Sequence, residues 1–122
     1  DSNGRPVTPE TPFILGSLSK SFTALAIMQL VTEGRVALDA PVQRYLPWFT
    51  VRDSAASTRI TVRELLNHRS GIPKSAGLQL VQGADASTVA DDRRLMAYVR
   101  LDNPPGTVFE YSTANSPAPT RP

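Results

Sequence analysis

The sequence has no cysteine, and this absence rules out disulfide bonds, thiol catalysis and metal sites built on cysteine. Histidine is nearly absent too, because His68 is the single example, so the sequence offers little for a metal site. The longest apolar run, residues 24–28, is far shorter than the roughly 18 to 20 residues that cross a bilayer. The first residues also have neither the cationic start nor the apolar run of a secretory signal. We therefore expect no metal, no cofactor and no membrane span in this segment.

The chain also has little net charge. The net charge is only +2, and basic and acidic residues are interspersed without a block of either sign. A nucleic-acid binder needs a concentrated basic surface, so we expect no nucleic-acid partner. With 122 residues the chain is long enough for one ordinary domain and too short for two.

Two helices are predicted from local signals. Residues 19–33 are rich in good helix formers, and Gly34 follows them where a left-handed helix terminator is expected. Apolar side chains lie around most of this helix, which predicts that it is buried on nearly all sides. Thr61 and Glu64 have the spacing of a capping box, so a second helix should run to about Asn67.

The remaining segments give weaker patterns. Residues 40–46 predict a brief helix between two prolines, residues 79–87 a loop, and residues 88–101 a helix with alternating apolar and charged positions. Residues 108–111 have the composition of a short strand. Residues 116–122 are a proline-rich tail with nothing to bury, which we expect to be disordered.

Ser17 and Lys20 form the most chemically informative pair in the sequence. Their spacing of three residues at the start of a helix places the hydroxyl and the amine on one helical face. A serine hydroxyl is a weak nucleophile until a base takes its proton, and a helix N-terminus supplies amide donors for the oxyanion that forms. An S-x-x-K match alone is weak evidence, because a serine that caps a helix and a solvated lysine would look the same.

Further blocks accompany this pair in a specific order. The chain resembles the family of class C β-lactamases and serine-type D-Ala-D-Ala carboxypeptidases, which are penicillin-binding-protein-like serine hydrolases, from about residue 4 to residue 115. The matching blocks, in chain order, are residues 13–24, 30–34, 38–42, 45–47, 60–63, 65–73, 104–107 and 109–112.

This resemblance implies catalytic roles for three residues. Ser17 would be acylated and Lys20 would assist proton transfer. Tyr111, which stands where the family has the tyrosine of its Y-x-N motif, would pass the proton to the leaving group. A neutral amine or a phenolate could each act as the base, and either requires the pKa to fall by about three units. The choice between the two bases stays open at this point. His68, Ser70 and Gly71 match a family block that we interpret as structural, stabilising a turn beneath the site.

The resemblance also implies a fold, a substrate class and a location. The parent fold is an α/β arrangement, in which an antiparallel sheet is flanked by helices and joined to a helical subdomain. We expect residues 1–115 to form a mainly α part of that domain. The substrates implied are β-lactams, D-amino acid peptides or esters, and a periplasmic or extracellular location is slightly favoured.

Two departures from the family pattern affect the expected function. The third motif reads Tyr111, Ser112, Thr113, so a hydroxyl stands in the substrate-binding position where an amide is expected, and Asn115 comes two residues late. Family members also supply a further K-T-G or H-x-G motif, which this chain does not contain. We therefore expect no useful turnover from this chain alone. Two alternatives remain: a non-catalytic penicillin-binding or sensor module, and a truncated reading frame without independent function.

Overall fold

The computed structural model describes Gly4, residues 6–76 and residues 96–115. Three α-helices have both ends within these residues: α1 (Ser19–Thr32), α2 (Ser54–Ser57) and α3 (Val62–Leu66). Residues 74–76 are helical as well. Three short 3-10 helices accompany them at Gly16–Leu18, Val42–Arg44 and Thr113–Asn115. The described residues contain no strand, and their isolated β-bridge joins Pro41 to Thr61.

Helix α1 ends as its sequence predicts. Gly34 has a φ of 69°, a conformation that glycine adopts without steric cost. Its amide donates to the Val31 carbonyl at 3.0 Å, and the Arg35 amide donates to the Leu30 carbonyl at 2.9 Å. These two bonds form a Schellman motif, so the terminator expected at Gly34 is confirmed.

Helix α3 begins with the capping box that its sequence predicts. The Glu64 amide donates to Thr61 Oγ1 at 3.2 Å, and the Thr61 amide donates to Glu64 Oε2 at 2.8 Å. Two backbone amides of the first turn are thereby satisfied. The helix ends with Asn67 as its C-cap, which confirms the expected length.

The hydrophobic core lies among the 3-10 helix Val42–Arg44, helices α2 and α3, and the segments that follow them. Ile60 and Ile72 are fully buried at its centre. The other buried members are Val42, Phe49, Val51, Ala56, Val62, Ala76, Met96, Val99 and Ala114. None of these residues comes from α1, which contributes only the partly buried Ile27. The core therefore sits beneath one side of α1 and leaves its other side open.

The prediction that α1 is buried on nearly all sides is wrong for this chain. None of its residues is buried, and Phe22 and Leu25 expose 64% and 58% of their surface. The reason is that the described residues pack against the side of the helix that carries Ile27 and not against the side that carries Phe22. Apolar composition around a helix indicates what it can bury, and burial itself requires partners on each face.

One smaller prediction is confirmed with a later start, one is wrong, and three cannot be compared. The brief helix expected within residues 40–46 is the 3-10 helix Val42–Arg44, which begins after Pro41 because Pro41 is extended, with a ψ of 140°. Residues 108–111 do not form a strand: the Glu110 amide donates to the His68 carbonyl, but no continuous series of backbone bonds joins this stretch to a neighbour among the described residues. The predicted loop at 79–87, most of the predicted helix at 88–101 and the tail at 116–122 lie outside the described residues.

Candidate active site

Ser17 lies in the 3-10 helix Gly16–Leu18, which leads directly into α1. Leu18 keeps helical dihedral angles, so the two helices are continuous and Ser17 occupies the N-terminal end of the combined element. Gly16 has a φ of 55°, which turns the chain at the point where it enters the helix. Lys20 follows one turn later on the same side. The local sequence therefore places the hydroxyl at a helix N-terminus, where backbone amides favour negative charge.

The structure brings Ser17, Lys20 and Tyr111 into contact. Ser17 Oγ lies 2.8 Å from the hydroxyl oxygen of Tyr111, although 94 residues separate them in the chain. Lys20 Nζ donates to Ser17 Oγ at 3.4 Å, and it lies 5.3 Å from the centre of the Tyr111 ring. The serine hydroxyl thus has a phenol and an ammonium group as neighbours. The phenol is the closer of the two.

The neighbours of Tyr111 lower the pKa of its phenol. Its pKa lies below the usual value of 10, first because the hydrogen bond from Ser17 favours the phenolate. Lys20 lowers the pKa of Tyr111 further through a hydrogen bond and through its positive charge. Because Tyr111 exposes 40% of its surface, water remains near the phenol in this chain.

A buried polar network holds the backbone that follows Tyr111. The Ser112 amide donates to His68 Nδ1 at 3.3 Å, and Ser112 Oγ donates to the Pro73 carbonyl at 2.8 Å. Asn115 bridges Ser70 Oγ at 2.6 Å and His68 Nδ1 at 3.1 Å. These contacts fix the turn that follows the tyrosine to the loop that follows α3.

Thr113, the residue predicted to bind substrate, lies outside the hydrogen-bonded group of Ser17, Lys20 and Tyr111. Thr113 is half-buried and opens the 3-10 helix Thr113–Asn115. Among the described residues, the side-chain hydrogen bonds of Ser17 and Lys20 connect them to each other and to Tyr111, and none reaches Thr113. The amide of Asn115 is engaged with Ser70 and His68, so it does not take the place of the missing amide.

Asn115 is a site-supporting residue that sequence reasoning did not find. The sequence shows Asn115 only as an amide two residues beyond the expected position, whereas Ser70 lies in the block interpreted as structural. Their contact spans 45 residues, and no local pattern encodes it. The burial of both side chains next to His68 is the signal that reveals this contact, because buried polar groups need partners.

No metal site is formed by the described part of the chain, where no three His, Asp or Glu side chains come together. Within the same residues, no helix is both long and apolar enough to cross a bilayer. The polar side-chain groups that meet at the site are a hydroxyl, a phenol and an amine.

Comparison with known proteins assigns the chain to a family. The family model described as Beta-lactamase matches residues 1–117. The chain belongs to the beta-lactamase family. Among curated members, it is 36% identical to the esterase EstB of Burkholderia gladioli over 127 residues, which cover 91% of this chain and 31% of that protein. It is 38% identical to penicillin-binding protein 4 of Amycolatopsis lactamdurans, over 88% of this chain and 28% of that protein.

A solved structure of the family shares the fold of this chain. The octameric penicillin-binding protein homologue from Pyrococcus abyssi superposes with a TM-score of 0.67 and 36% identity, over 93% of this chain and 27% of that one. The family assignment is thereby confirmed, and the chain shares the penicillin-binding-protein-like fold of this relative, with helices and no strand in the described residues. The chain spans about a third or less of the length of these relatives.

Proposed function

We propose that the chain carries the nucleophile and the proton-transfer groups of a serine hydrolase, and that Ser17 forms an acyl-enzyme. The observation that carries this proposal is the contact of Ser17 Oγ with Tyr111 at 2.8 Å and with Lys20 Nζ at 3.4 Å. A hydroxyl beside a base, at a helix N-terminus that favours an oxyanion, is the arrangement that acyl transfer requires.

Tyr111 is the better-supported base. Its oxygen is closer to Ser17 Oγ than the Lys20 nitrogen is, and its pKa is lowered by both neighbours. A general base works best when its pKa is near the working pH, so a lowered phenol pKa favours proton transfer. In this proposal Lys20 stabilises the phenolate and holds Ser17 in place by donating to its oxygen.

Acylation follows from this arrangement in two steps. The Tyr111 phenolate takes the Ser17 proton while Ser17 Oγ bonds to the carbonyl carbon of the substrate, which places negative charge on the carbonyl oxygen. That oxyanion then collapses, the bond from carbon to the leaving nitrogen or oxygen breaks, and the Tyr111 hydroxyl gives its proton to the leaving group. The helix N-terminus at Ser17 favours the transient negative charge.

Deacylation reverses the roles. Tyr111 takes a proton from water, the water oxygen bonds to the acyl carbon, and the bond between that carbon and Ser17 Oγ breaks. Ser17 Oγ then recovers the proton from Tyr111, and a carboxylic acid leaves. The cycle needs no cofactor.

The proposed substrates are β-lactams, D-amino acid peptides or esters, each of which presents a carbonyl to a serine nucleophile. Two relatives of this chain are an esterase and a penicillin-binding protein, which supports this range of proposed substrates. We further propose that an antiparallel sheet of the complete family fold covers the exposed side of α1. The exposed Phe22 and Leu25 support this, because large apolar side chains that are exposed together often mark a surface that another part of the structure covers.

A second candidate function is an acyl-serine receptor that traps a β-lactam without turnover. Thr113 favours it, because a hydroxyl provides fewer hydrogen bonds to a substrate amide than an asparagine does. The two functions differ in deacylation and not in the first step.

The test is covalent labelling of the purified 122-residue chain with a fluorescent penicillin and with p-nitrophenyl acetate, read by intact mass and peptide mapping. We expect one adduct on Ser17, no useful turnover, loss of the adduct in Ser17→Ala, and retention in the control Ser21→Ala, which lies exposed on α1. Tyr111→Phe should slow labelling by about 100-fold or more, the usual contribution of a general base. An adduct that persists in Ser17→Ala, or none on the wild-type chain, contradicts the proposal. Ser17-dependent turnover contradicts only the expected inactivity.

A further inference from the structure

His68 packs against the ring of the proposed base. Its ring centre lies 4.6 Å from that of Tyr111, with 35° between the ring planes. On another side, Phe109 meets His68 edge-on at 6.1 Å and 77°. Aromatic rings at these separations attract each other beyond the gain from burial, so the imidazole restricts where the phenol ring can lie.

A directional chain of hydrogen bonds holds the imidazole. The Ile72 amide donates to Ser70 Oγ at 3.2 Å, and the Ser70 hydroxyl donates to Asn115 Oδ1 at 2.6 Å. The other side of the Asn115 amide is then its NH₂ group, which lies 3.1 Å from His68 Nδ1. Because both this group and the Ser112 amide donate to Nδ1, that nitrogen is the acceptor and the proton is on Nε2.

The backbone of His68 supports the segment that leads into Tyr111. His68 has a φ of 54°, and it is the only residue other than glycine in the described chain with a positive φ. A left-handed residue other than glycine is uncommon, because this conformation brings Cβ too close to the backbone. In this conformation the His68 carbonyl accepts from the Glu110 amide at 2.8 Å, directly before Tyr111.

We propose that His68 is a positioning residue for Tyr111. The hydrogen bonds from Ser70 through Asn115 to His68 fix the imidazole in the orientation in which it holds the phenol of Tyr111 against Ser17. This role rests on the proposed function for its meaning in catalysis, since it concerns the same site. His68 touches no reacting atom and acts only through Tyr111. The contacts that carry the proposal are the ring pair and the two donors to Nδ1.

The test measures Tyr111 directly and requires no turnover. The chain has three tyrosines, so ¹³C-labelled tyrosine gives three NMR titrations, which are assigned by Tyr→Phe variants. Two variants address the two halves of the proposal. His68→Asn removes the ring but keeps a residue type that tolerates a positive φ, and Asn115→Ala removes the donor to Nδ1.

We expect Tyr111 to titrate below pH 10 in the wild-type chain and to move back toward 10 in both variants, with the larger shift in His68→Asn. Tyr45 is the internal control for folding, because its hydroxyl accepts from the Ala37 amide at 2.8 Å, away from the network. Its resonance should not change. If one variant loses the folded Tyr45 resonance, the other decides.

An unchanged Tyr111 titration in a folded variant overturns the proposal. Unfolding of both variants also overturns it, because the network would then be needed for folding rather than for placing the phenol. A lowered Tyr111 pKa that depends on His68, in a chain whose Ser17 takes no acyl group, would contradict the proposed function and leave this inference standing.

Discussion

Gly71 lies in the loop after α3 and is hydrogen-bonded to the segment that leads toward Tyr111. Its replacement should lower the free energy of unfolding, because the backbone of that segment occupies the space that a side chain would need. Gly71 has a φ of 80°, and its carbonyl accepts from the Asp102 amide at 3.0 Å. A Cβ built at this position lies 2.0 Å from the Asn103 carbonyl oxygen and 3.1 Å from its carbon. Both are backbone atoms, so the 101–106 segment has to move to admit a methyl group.

Gly34 provides a matched control for Gly71→Ala. Its φ of 69° is similar, but a Cβ there meets nothing within 4 Å. Gly34→Ala therefore carries only the left-handed strain of about 1 to 2 kcal/mol. Gly71→Ala adds steric displacement of about 1 to 3 kcal/mol. The effect of alanine on the unfolded chain is the same at both positions and cancels.

Urea unfolding followed by the fluorescence of Trp48, the only tryptophan, measures this difference. We expect Gly71→Ala to lower the free energy of unfolding by about 1 to 3 kcal/mol more than Gly34→Ala. With an m-value of about 1 kcal/mol/M, the midpoint should fall by about 1 M or more relative to the control. Equal midpoints for the two variants would refute the steric argument and leave backbone strain as the whole effect.

Two further predictions follow from individual contacts. The pKa of Tyr111 is lowered in the folded chain, so ionisation of its phenol favours folding; this gain is complete above a pH of about 10 and is lost as the pH falls through the folded-state pKa. Ser17→Ala removes the largest cause, so absorbance titration near 295 nm should show that phenol ionising at higher pH. Thr61→Ala breaks the capping box of α3 and should lower the free energy of unfolding by about 1 kcal/mol. The control Thr58→Ala removes a bond to a helix carbonyl instead, and urea midpoints that fall equally in both would contradict the capping argument.

The parts of the fold that follow from sequence are those with local causes. The capping box at Thr61 and Glu64 and the terminator at Gly34 each depend on residues within one turn of each other. Ser17 and Lys20 meet for the same reason, because a spacing of three residues on a helix places them on one face. In these cases the residue types themselves select the backbone conformation.

Burial and strand formation could not be predicted in this way. Helix α1 is apolar around its circumference, so its sequence contains no signal for which face meets the core. Residues 108–111 have strand-like composition, yet a strand needs a partner that offers a continuous series of bonds. Both errors arise because the missing information lies in another segment of the chain.

The position of Tyr111 illustrates how such distant information enters the site. Among the hydrogen bonds that join the loop after α3 to residues 102–112, four pair the two segments in opposite directions along the chain: Gly71 with Asp102, Arg69 with Gly106, His68 with Glu110, and His68 Nδ1 with Ser112. Two of the loop residues in this set, His68 and Gly71, have positive φ values. Because the same turn sets both the path of the chain and the placement of the phenol, a change at Gly71 should weaken folding and also raise the pKa of Tyr111. An exposed glycine such as Gly34 lies outside this set, so Gly34→Ala should leave the phenol titration as it is.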